Sequence, residues 1–246
     1  MTDKRDQYGD IAEEYKDSKQ LPFRLYIEEY SLFKMLGDIT GLTVADLACG
    51  DGFYTRKLKA AGAADVTGVD LSAEMIQLAV DEERNNPLGC KYENKDAAEF
   101  ETPPLDLVVA MYLLNYAKNA AELEDFCKTA FSILKPGGRF VGFNDNIQNP
   151  PKGLESFSQY GFDKECADPP KEGDAIVYKI TNEDGTKFEF NNFYLKPETY
   201  ARAFKQAGFS SFEWKGPYLE PSQKGNPLWE PFMSNPPLIG FVAEKK

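Results

Sequence analysis

The feature that most constrains this 246-residue chain is a glycine turn that joins an apolar run to a helical pattern. The run is LTVADLA, residues 42–48, and Gly50 and Gly52 follow it before the helical pattern begins at Phe53. Glycines with this spacing allow something to approach the backbone closely. A buried strand that turns at once into a helix is the repeating unit of a parallel α/β sheet. The sequence therefore predicts a strand-turn-helix unit whose turn is either a ligand site or only a tight connection.

Alternation of apolar runs and helical patterns continues to about residue 143 and predicts the fold class. Further strands are expected within 64–71, 90–97, 105–117 and 140–143, and helices at 53–61, 73–85 and 120–134. Such alternation requires right-handed crossovers and gives a parallel sheet covered on both faces. Two helices are predicted before it, at 8–16 and 25–36, and after it a hairpin around Asp184-Gly185, a helix at 197–206 and two last strands.

These elements divide the chain into four predicted parts. Residues 1–40 form an N-terminal helical cap, and residues 41–146 form a nucleotide-binding core. Residues 147–195 are an insertion that contains the β-hairpin, and residues 196–246 complete the core sheet.

Composition restricts the possible chemistry. The chain has no histidine, which removes any imidazole base, histidine metal ligand or histidine-centred triad. A net charge of −12 argues against a nucleic-acid partner, because such binding depends on lysine and arginine. The four cysteines lack metal-ligand spacing and are expected to be buried thiols of a cytoplasmic protein. No apolar run reaches the ~18 residues of a membrane span; the oligomeric state is left open.

An acidic residue further along the chain could act together with the glycine turn. Asp70 ends the next predicted strand, where a carboxylate can bind ribose hydroxyls while backbone N–H groups line the turn. A dinucleotide fingerprint requires a third glycine, and Thr55 stands at that position. A nicotinamide-dependent oxidoreductase and a non-catalytic nucleotide-binding regulator remain alternatives to an enzyme that uses another adenosine cofactor.

Four elements at matching spacing resemble the class I S-adenosylmethionine-dependent methyltransferase family. They are D-x-A-x-G-x-G at 46–52, Asp70, Asp96 in NKDA and the loop LKPGGRF at 134–140. Ala48 replaces the glycine that the family usually has there. The resemblance implies a seven-stranded, mostly parallel, doubly wound sheet of order 3-2-1-4-5-7-6 with an antiparallel last strand.

The resemblance also implies where S-adenosylmethionine binds, across the carboxyl ends of the first strands. Asp46 and the turn would face the methionine part, Asp70 the ribose and Asp96 the adenine amino group. Tyr8 and Tyr15 would close over the cofactor as a lid. The implied cofactor-binding set is Tyr15, Asp46, Ala48, Gly50, Gly52, Asp70, Leu71, Met75, Asp96 and Ala97.

Methyl transfer to N or O of a small aromatic or amine metabolite is the predicted activity. The sulfonium is already activated, so the protein has to align the reactants and, for an acidic acceptor, remove a proton. Tyr112 and Tyr116, which follow the fourth strand, and Asp145, which follows the fifth, are the candidate catalytic residues, and Asp145 is equally suited to capping a loop. The aromatic insertion is expected to cover the acceptor.

Overall fold

A computed structural model describes residues 7–8, 11–149 and 157–246. The first five strands are β1 Thr43–Leu47, β2 Asp65–Asp70, β3 Lys91–Asn94, β4 Leu105–Met111 and β5 Leu134–Asp145. The insertion contributes β6 Phe162–Glu165, β7 Ala175–Thr181 and β8 Lys187–Phe193, and the chain ends with β9 Ser211–Lys215 and β10 Leu238–Glu244.

Seven of these strands form the main sheet, in the order β3-β2-β1-β4-β5-β10-β9. Strands β1 to β5 pair in parallel, and β10 runs antiparallel to both β5 and β9. Within this sheet β9 and β10 are the sixth and seventh strands along the chain, so the predicted order 3-2-1-4-5-7-6 is confirmed. The central strand β4 has no exposed side chain between Leu107 and Ala110, as expected for a strand covered by helices on both faces.

Helices and short helical turns connect the strands and make up the N-terminal part of the chain. The α-helices are α1 Ala12–Asp17, α2 Tyr30–Leu36, α3 Phe53–Ala60, α4 Ala73–Asn85, α5 Ala120–Ser132, α6 Pro197–Ala207 and α7 Glu230–Ser234. A π-helical segment, Arg24–Glu29, leads into α2, and short 3₁₀ turns occupy Ser18–Gln20, Ala97–Glu99, Leu113–Tyr116, Ser158–Tyr160, Pro221–Gln223 and Pro227–Trp229. No helix within the described ranges is both long and apolar enough to cross a membrane.

Local signals in the sequence account for several helix ends. The Ser72 hydroxyl accepts a hydrogen bond from Met75 N (3.4 Å) at the start of α4, and Asn119 caps α5 in the same way. Gly208 ends α6 in the left-handed conformation.

Three details differ from the sequence prediction, and a fourth element is described only in part. Strand β5 begins at Leu134, so the Pro-Gly-Gly turn lies inside the strand and is absorbed by a register shift opposite Leu105 and Leu107. The helix predicted at 25–36 starts as the π-helical segment. The insertion is a three-stranded sheet, β6-β7-β8, because β6 pairs with the outer side of the predicted hairpin. The helix predicted at 8–16 is described only from α1 onward, since residues 9–10 lie outside the described ranges.

Candidate active site

A cavity of about 450 Å³ lies at the carboxyl ends of β1, β2 and β4. The structure brings most of the predicted site residues to its wall. They are Tyr15, Asp46, Ala48, Gly50, Asp70, Leu71, Met75, Asp96, Ala97 and Tyr116. Tyr8, the other predicted lid tyrosine, is there as well. Gly52, Tyr112 and Asp145 are not part of this wall.

The two glycines of the turn have different surroundings. Both have positive φ, +57° at Gly50 and +80° at Gly52. A Cβ built on Gly50 would find its nearest neighbour, Met75 Sδ, 4.0 Å away, so the backbone faces open space. A Cβ on Gly52 would lie 2.6 Å from the Tyr92 hydroxyl. Gly50 therefore keeps the cavity open, whereas Gly52 makes room for a packed ring.

Ala48 is held in the left-handed region, with φ at +59°. That conformation costs an L-residue roughly 1–2 kcal/mol. The glycine that the family usually has at this position would adopt it without that cost.

Asp70 is fixed between the ends of two strands. Its Oδ2 accepts a hydrogen bond from Gly50 N (2.8 Å) and its Oδ1 accepts one from Ser72 N (2.9 Å). Asp96 is a cap as well as a wall residue, because its Oδ1 accepts from Ala98 N at 2.9 Å. Both carboxylates are thus oriented by backbone N–H groups at the cavity edge.

Asp46 is almost fully buried, with 1% of its surface exposed. The Thr55 hydroxyl donates to Asp46 Oδ2 at 2.7 Å, while Asp46 Oδ1 has no hydrogen-bond partner in the described part of the chain. Burial raises the pKa of this carboxyl to about 7, against a lowering by the Thr55 hydrogen bond and the Lys19 charge. The cavity therefore contains a desolvated carboxylate oxygen that can accept a hydrogen bond.

Lys19 is the most informative wall residue that the sequence prediction missed. Only 6% of its surface is exposed, and its Nζ lies 3.4 Å from the Tyr15 hydroxyl and 4.6 Å from the centre of that ring. The predicted helix at 8–16 ends before Lys19, and it is the 3₁₀ turn Ser18–Gln20 after α1 that brings this lysine next to Tyr15. A buried lysine there places positive charge in the same cavity as Asp46.

The N-terminal segment covers the cavity through Gln7 and Tyr8. The Gln7 side-chain amide donates to Asn191 O (2.9 Å) and accepts from Asn191 N (2.8 Å), as a paired strand would. Tyr8 hydrogen-bonds to the Tyr116 hydroxyl and packs edge-on against Tyr15, with ring centres 4.7 Å apart.

Tyr112 lies outside the large cavity in a buried cluster around Glu28. Glu28 accepts hydrogen bonds from the hydroxyls of Tyr54 and Tyr112 and pairs with Arg24 at 3.2 Å. Burial raises the pKa of the Tyr112 phenol well above its usual value, and it does the same at Tyr116. Neither phenol is a base at neutral pH.

Asp145 lies in a second buried cluster, between the main sheet and the insertion. It is paired with Lys164, accepts from the Tyr178 hydroxyl and accepts from Asn192 Nδ2 at 2.8 Å. Since these donors already occupy its oxygens, the structure favours an orienting role for Asp145. Its part in catalysis, like that of Tyr112 and Tyr116, stays a prediction. The described residues contain no group of three or more histidine, cysteine, aspartate or glutamate side chains that could hold a metal ion.

Comparison with known proteins tests the family. Residues 44–138 match the family model described as a methyltransferase domain. This stretch of the chain is therefore a methyltransferase domain. The resemblance read from Asp46, Gly50, Asp70 and Asp96 is therefore confirmed, as is the Rossmann-like fold.

Relatives and a solved structure agree with this placement. A demethylmenaquinone methyltransferase of Lactococcus lactis is 32% identical over 132 residues, which is 52% of this chain and 51% of the relative. An mRNA cap guanine-N(7) methyltransferase of Caenorhabditis elegans is 34% identical over 114 residues, 40% of this chain and 30% of the relative. The chain thus spans about half the length, or less, of these curated relatives. An S-adenosylmethionine-dependent methyltransferase structure from Mesorhizobium loti superposes with a TM-score of 0.61 at 21% identity, covering 89% of this chain and 97% of that one.

Proposed function

We propose that this chain is an S-adenosylmethionine-dependent methyltransferase that methylates N or O of a small aromatic or amine metabolite. The observation that carries the cofactor proposal is that a buried carboxyl group, Asp46, and a buried lysine, Lys19, line one cavity. The amino-acid end of the cofactor carries an ammonium and a carboxylate. Asp46 Oδ1, which has no partner in the described residues, suits the ammonium, and Lys19 suits the carboxylate.

The rest of the cavity fits the rest of the cofactor. Gly50 leaves open space beside the backbone, Asp70 presents a fixed carboxylate to ribose hydroxyls, and Leu71 and Met75 offer apolar contact to a base. A volume of about 450 Å³ is within the range of small-molecule sites. Asp96 and Ala97 line the same cavity.

When bound, the sulfonium supplies a methyl group whose C–S bond breaks as the acceptor's lone pair bonds to carbon, the pair of electrons returning to sulfur. The protein excludes water with Tyr8, Tyr15 and Tyr116 and holds the reactants in line. The proton of an N–H or O–H acceptor would pass to a carboxylate of the cavity wall.

A small acceptor is favoured by charge and by the cover over the site. The net charge of −12 opposes binding of a phosphate backbone, although one relative is named for an mRNA cap. The insertion sheet adds Asn191 and Phe193 to the cavity wall and so narrows the space for an acceptor. Cys49, Cys90 and Cys127 are buried free thiols. Because free thiols are typical of a reducing compartment, we propose a cytoplasmic location.

Calorimetric titration with S-adenosylhomocysteine and with NAD tests the cofactor proposal. We expect binding of the first and none of the second. Asp70→Asn should weaken S-adenosylhomocysteine at least tenfold with the melting temperature nearly unchanged. The matched control is Asp106→Asn, because Asp106 accepts from Thr43 N (2.9 Å) and pairs with Lys135 (2.7 Å) at the start of β4 and should affect stability alone.

Transfer of a labelled methyl group to a panel of aromatic amines and phenols tests the activity. Binding of S-adenosylhomocysteine with no transfer to any panel member would favour a non-catalytic regulator. Binding of NAD in its place would refute the proposal.

A further inference from the structure

A second, much smaller cavity lies beside the first, where the N-terminal helices, the turn after β4 and the insertion sheet meet. Its volume of about 10 Å³ corresponds to about one water molecule. Six aromatic rings dominate its wall: Tyr15, Phe23, Tyr112, Tyr116, Tyr178 and Phe190. Tyr15 and Tyr116 line both cavities, so whatever occupies the small cavity lies next to the cofactor site.

Strand β8 contributes to both cavities by simple alternation. Asn191 and Phe193 line the large cavity, while Phe190 and Asn192 line the small one. Asn192 is 1% exposed, and its Nδ2 donates to Asp145 Oδ2. Because the Asp145 carboxylate only accepts, the amide nitrogen must face it, and Oδ1 is turned away. That Oδ1 is buried and has no hydrogen-bond partner in the described ranges.

The charged groups around the small cavity are already paired. Arg24 lies 3.2 Å from Glu28, and Lys164 is paired with Asp145 and also donates to Pro237 O at 2.7 Å. A charged molecule would therefore lose its hydration here without gaining a counter-charge. The small cavity therefore favours an uncharged polar group.

We infer that Asn192 determines which methyl acceptor binds, by accepting a hydrogen bond at Oδ1 from an N–H or O–H group of a neutral, planar acceptor. This inference rests on the proposed function. Asp145 acts through Asn192 as a positioning residue, since it fixes the direction of the amide. The ring of the acceptor would lie in the large cavity against Tyr15 and Tyr116, which line both cavities, and only its N–H or O–H group would take the place of about one water molecule in the small cavity.

Fluorine NMR with three probes of similar shape tests this selection: 4-fluorophenol, 4-fluoroaniline and 4-fluorotoluene, each titrated into protein saturated with S-adenosylhomocysteine. We expect the phenol and the aniline to bind roughly tenfold more tightly than the toluene, the difference that one buried hydrogen bond provides. Asn192→Leu and the smaller Asn192→Ala should make the three affinities equal.

Asn182→Leu is the matched control. Asn182 belongs to the same insertion, is 6% exposed, donates to Glu14 O at 2.9 Å and has an Oδ1 without a partner in the described chain, yet it lines neither cavity. It should preserve the preference for the phenol and the aniline. Equal binding of all three probes to the wild type, or a preference that survives both Asn192 variants, would overturn the inference. Failure to bind S-adenosylhomocysteine would instead refute the proposed function.

Discussion

Asp46→Asn should stabilise the protein at alkaline pH while it weakens cofactor binding. The Asp46 carboxyl is 1% exposed, and burial raises its pKa from 3.8 to about 7. Between these two values the folded protein holds a proton that the unfolded chain releases. The free energy of unfolding of the wild type therefore falls as the pH rises through this window. Above pH 7 it has fallen by its full amount.

The size of the effect follows from the shift. About three pKa units at 1.36 kcal/mol each correspond to about 4 kcal/mol above pH 7. Asparagine cannot ionise but can still accept from Thr55. The free energy of unfolding of the variant, minus that of the wild type, should rise by about 1.4 kcal/mol per pH unit from pH 5 to pH 7 and then level off.

Urea unfolding at half-unit pH intervals from 5 to 8.5 measures this difference, and the absence of histidine keeps imidazole titration out of the window. Asp65→Asn, at an exposed carboxylate paired with Lys91, is the control and should give a flat difference. A flat difference for Asp46→Asn would mean that Asp46 ionises like an exposed residue. Calorimetry on the same variant should show at least tenfold weaker S-adenosylhomocysteine.

Three further predictions concern the glycine turn and the wall of the large cavity. Gly52→Ala should lower the melting temperature by several degrees, because its Cβ would lie 2.6 Å from the Tyr92 hydroxyl. The affinity of the folded variant for S-adenosylhomocysteine should change little. Thermal unfolding measures the first effect and calorimetry the second. Gly50→Ala should cost roughly 1 kcal/mol of stability, because its φ is positive. Its affinity for S-adenosylhomocysteine should fall by more than that of Gly52→Ala, because the new Cβ would occupy the open space of the cavity. An affinity equal to that of the wild type would mean that Gly50 is not part of the site. Lys19→Met should weaken S-adenosylhomocysteine at least tenfold in calorimetry with no loss of melting temperature, because it removes a buried ammonium.

The fold of the core could be predicted because its signals are local. Apolar runs at β1, β2 and β4 and the glycine turn are short-range patterns, and the parallel order follows from right-handed crossovers together with the family resemblance. Strand β6 could not be found this way. It has four residues, Phe162–Glu165, and it exists because β7 offers an unpaired edge, which is a long-range fact.

The candidate site divides along the same line. Asp70 and Gly50 stand at the ends of strands, where the topology alone brings them together. Asp145 also follows a strand, but the direction of its side chain depends on Lys164 and Asn192 from the insertion, which no local pattern connects to it. Lys19 could not be predicted, because a lysine in a charged segment has the pattern of a solvated residue.

The N-terminal segment is held with unequal strength at its two ends. Its inner part is anchored by Glu28, with two phenols and an arginine around one carboxylate, while Gln7 rests on β8, an outer strand of the insertion sheet, through two hydrogen bonds. Under the proposed function, we expect spent cofactor to be exchanged when Gln7 and Tyr8 detach, with the buried anchor intact. Turnover would then be timed by the peeling of a few residues, which leaves the rest of the molecule folded throughout.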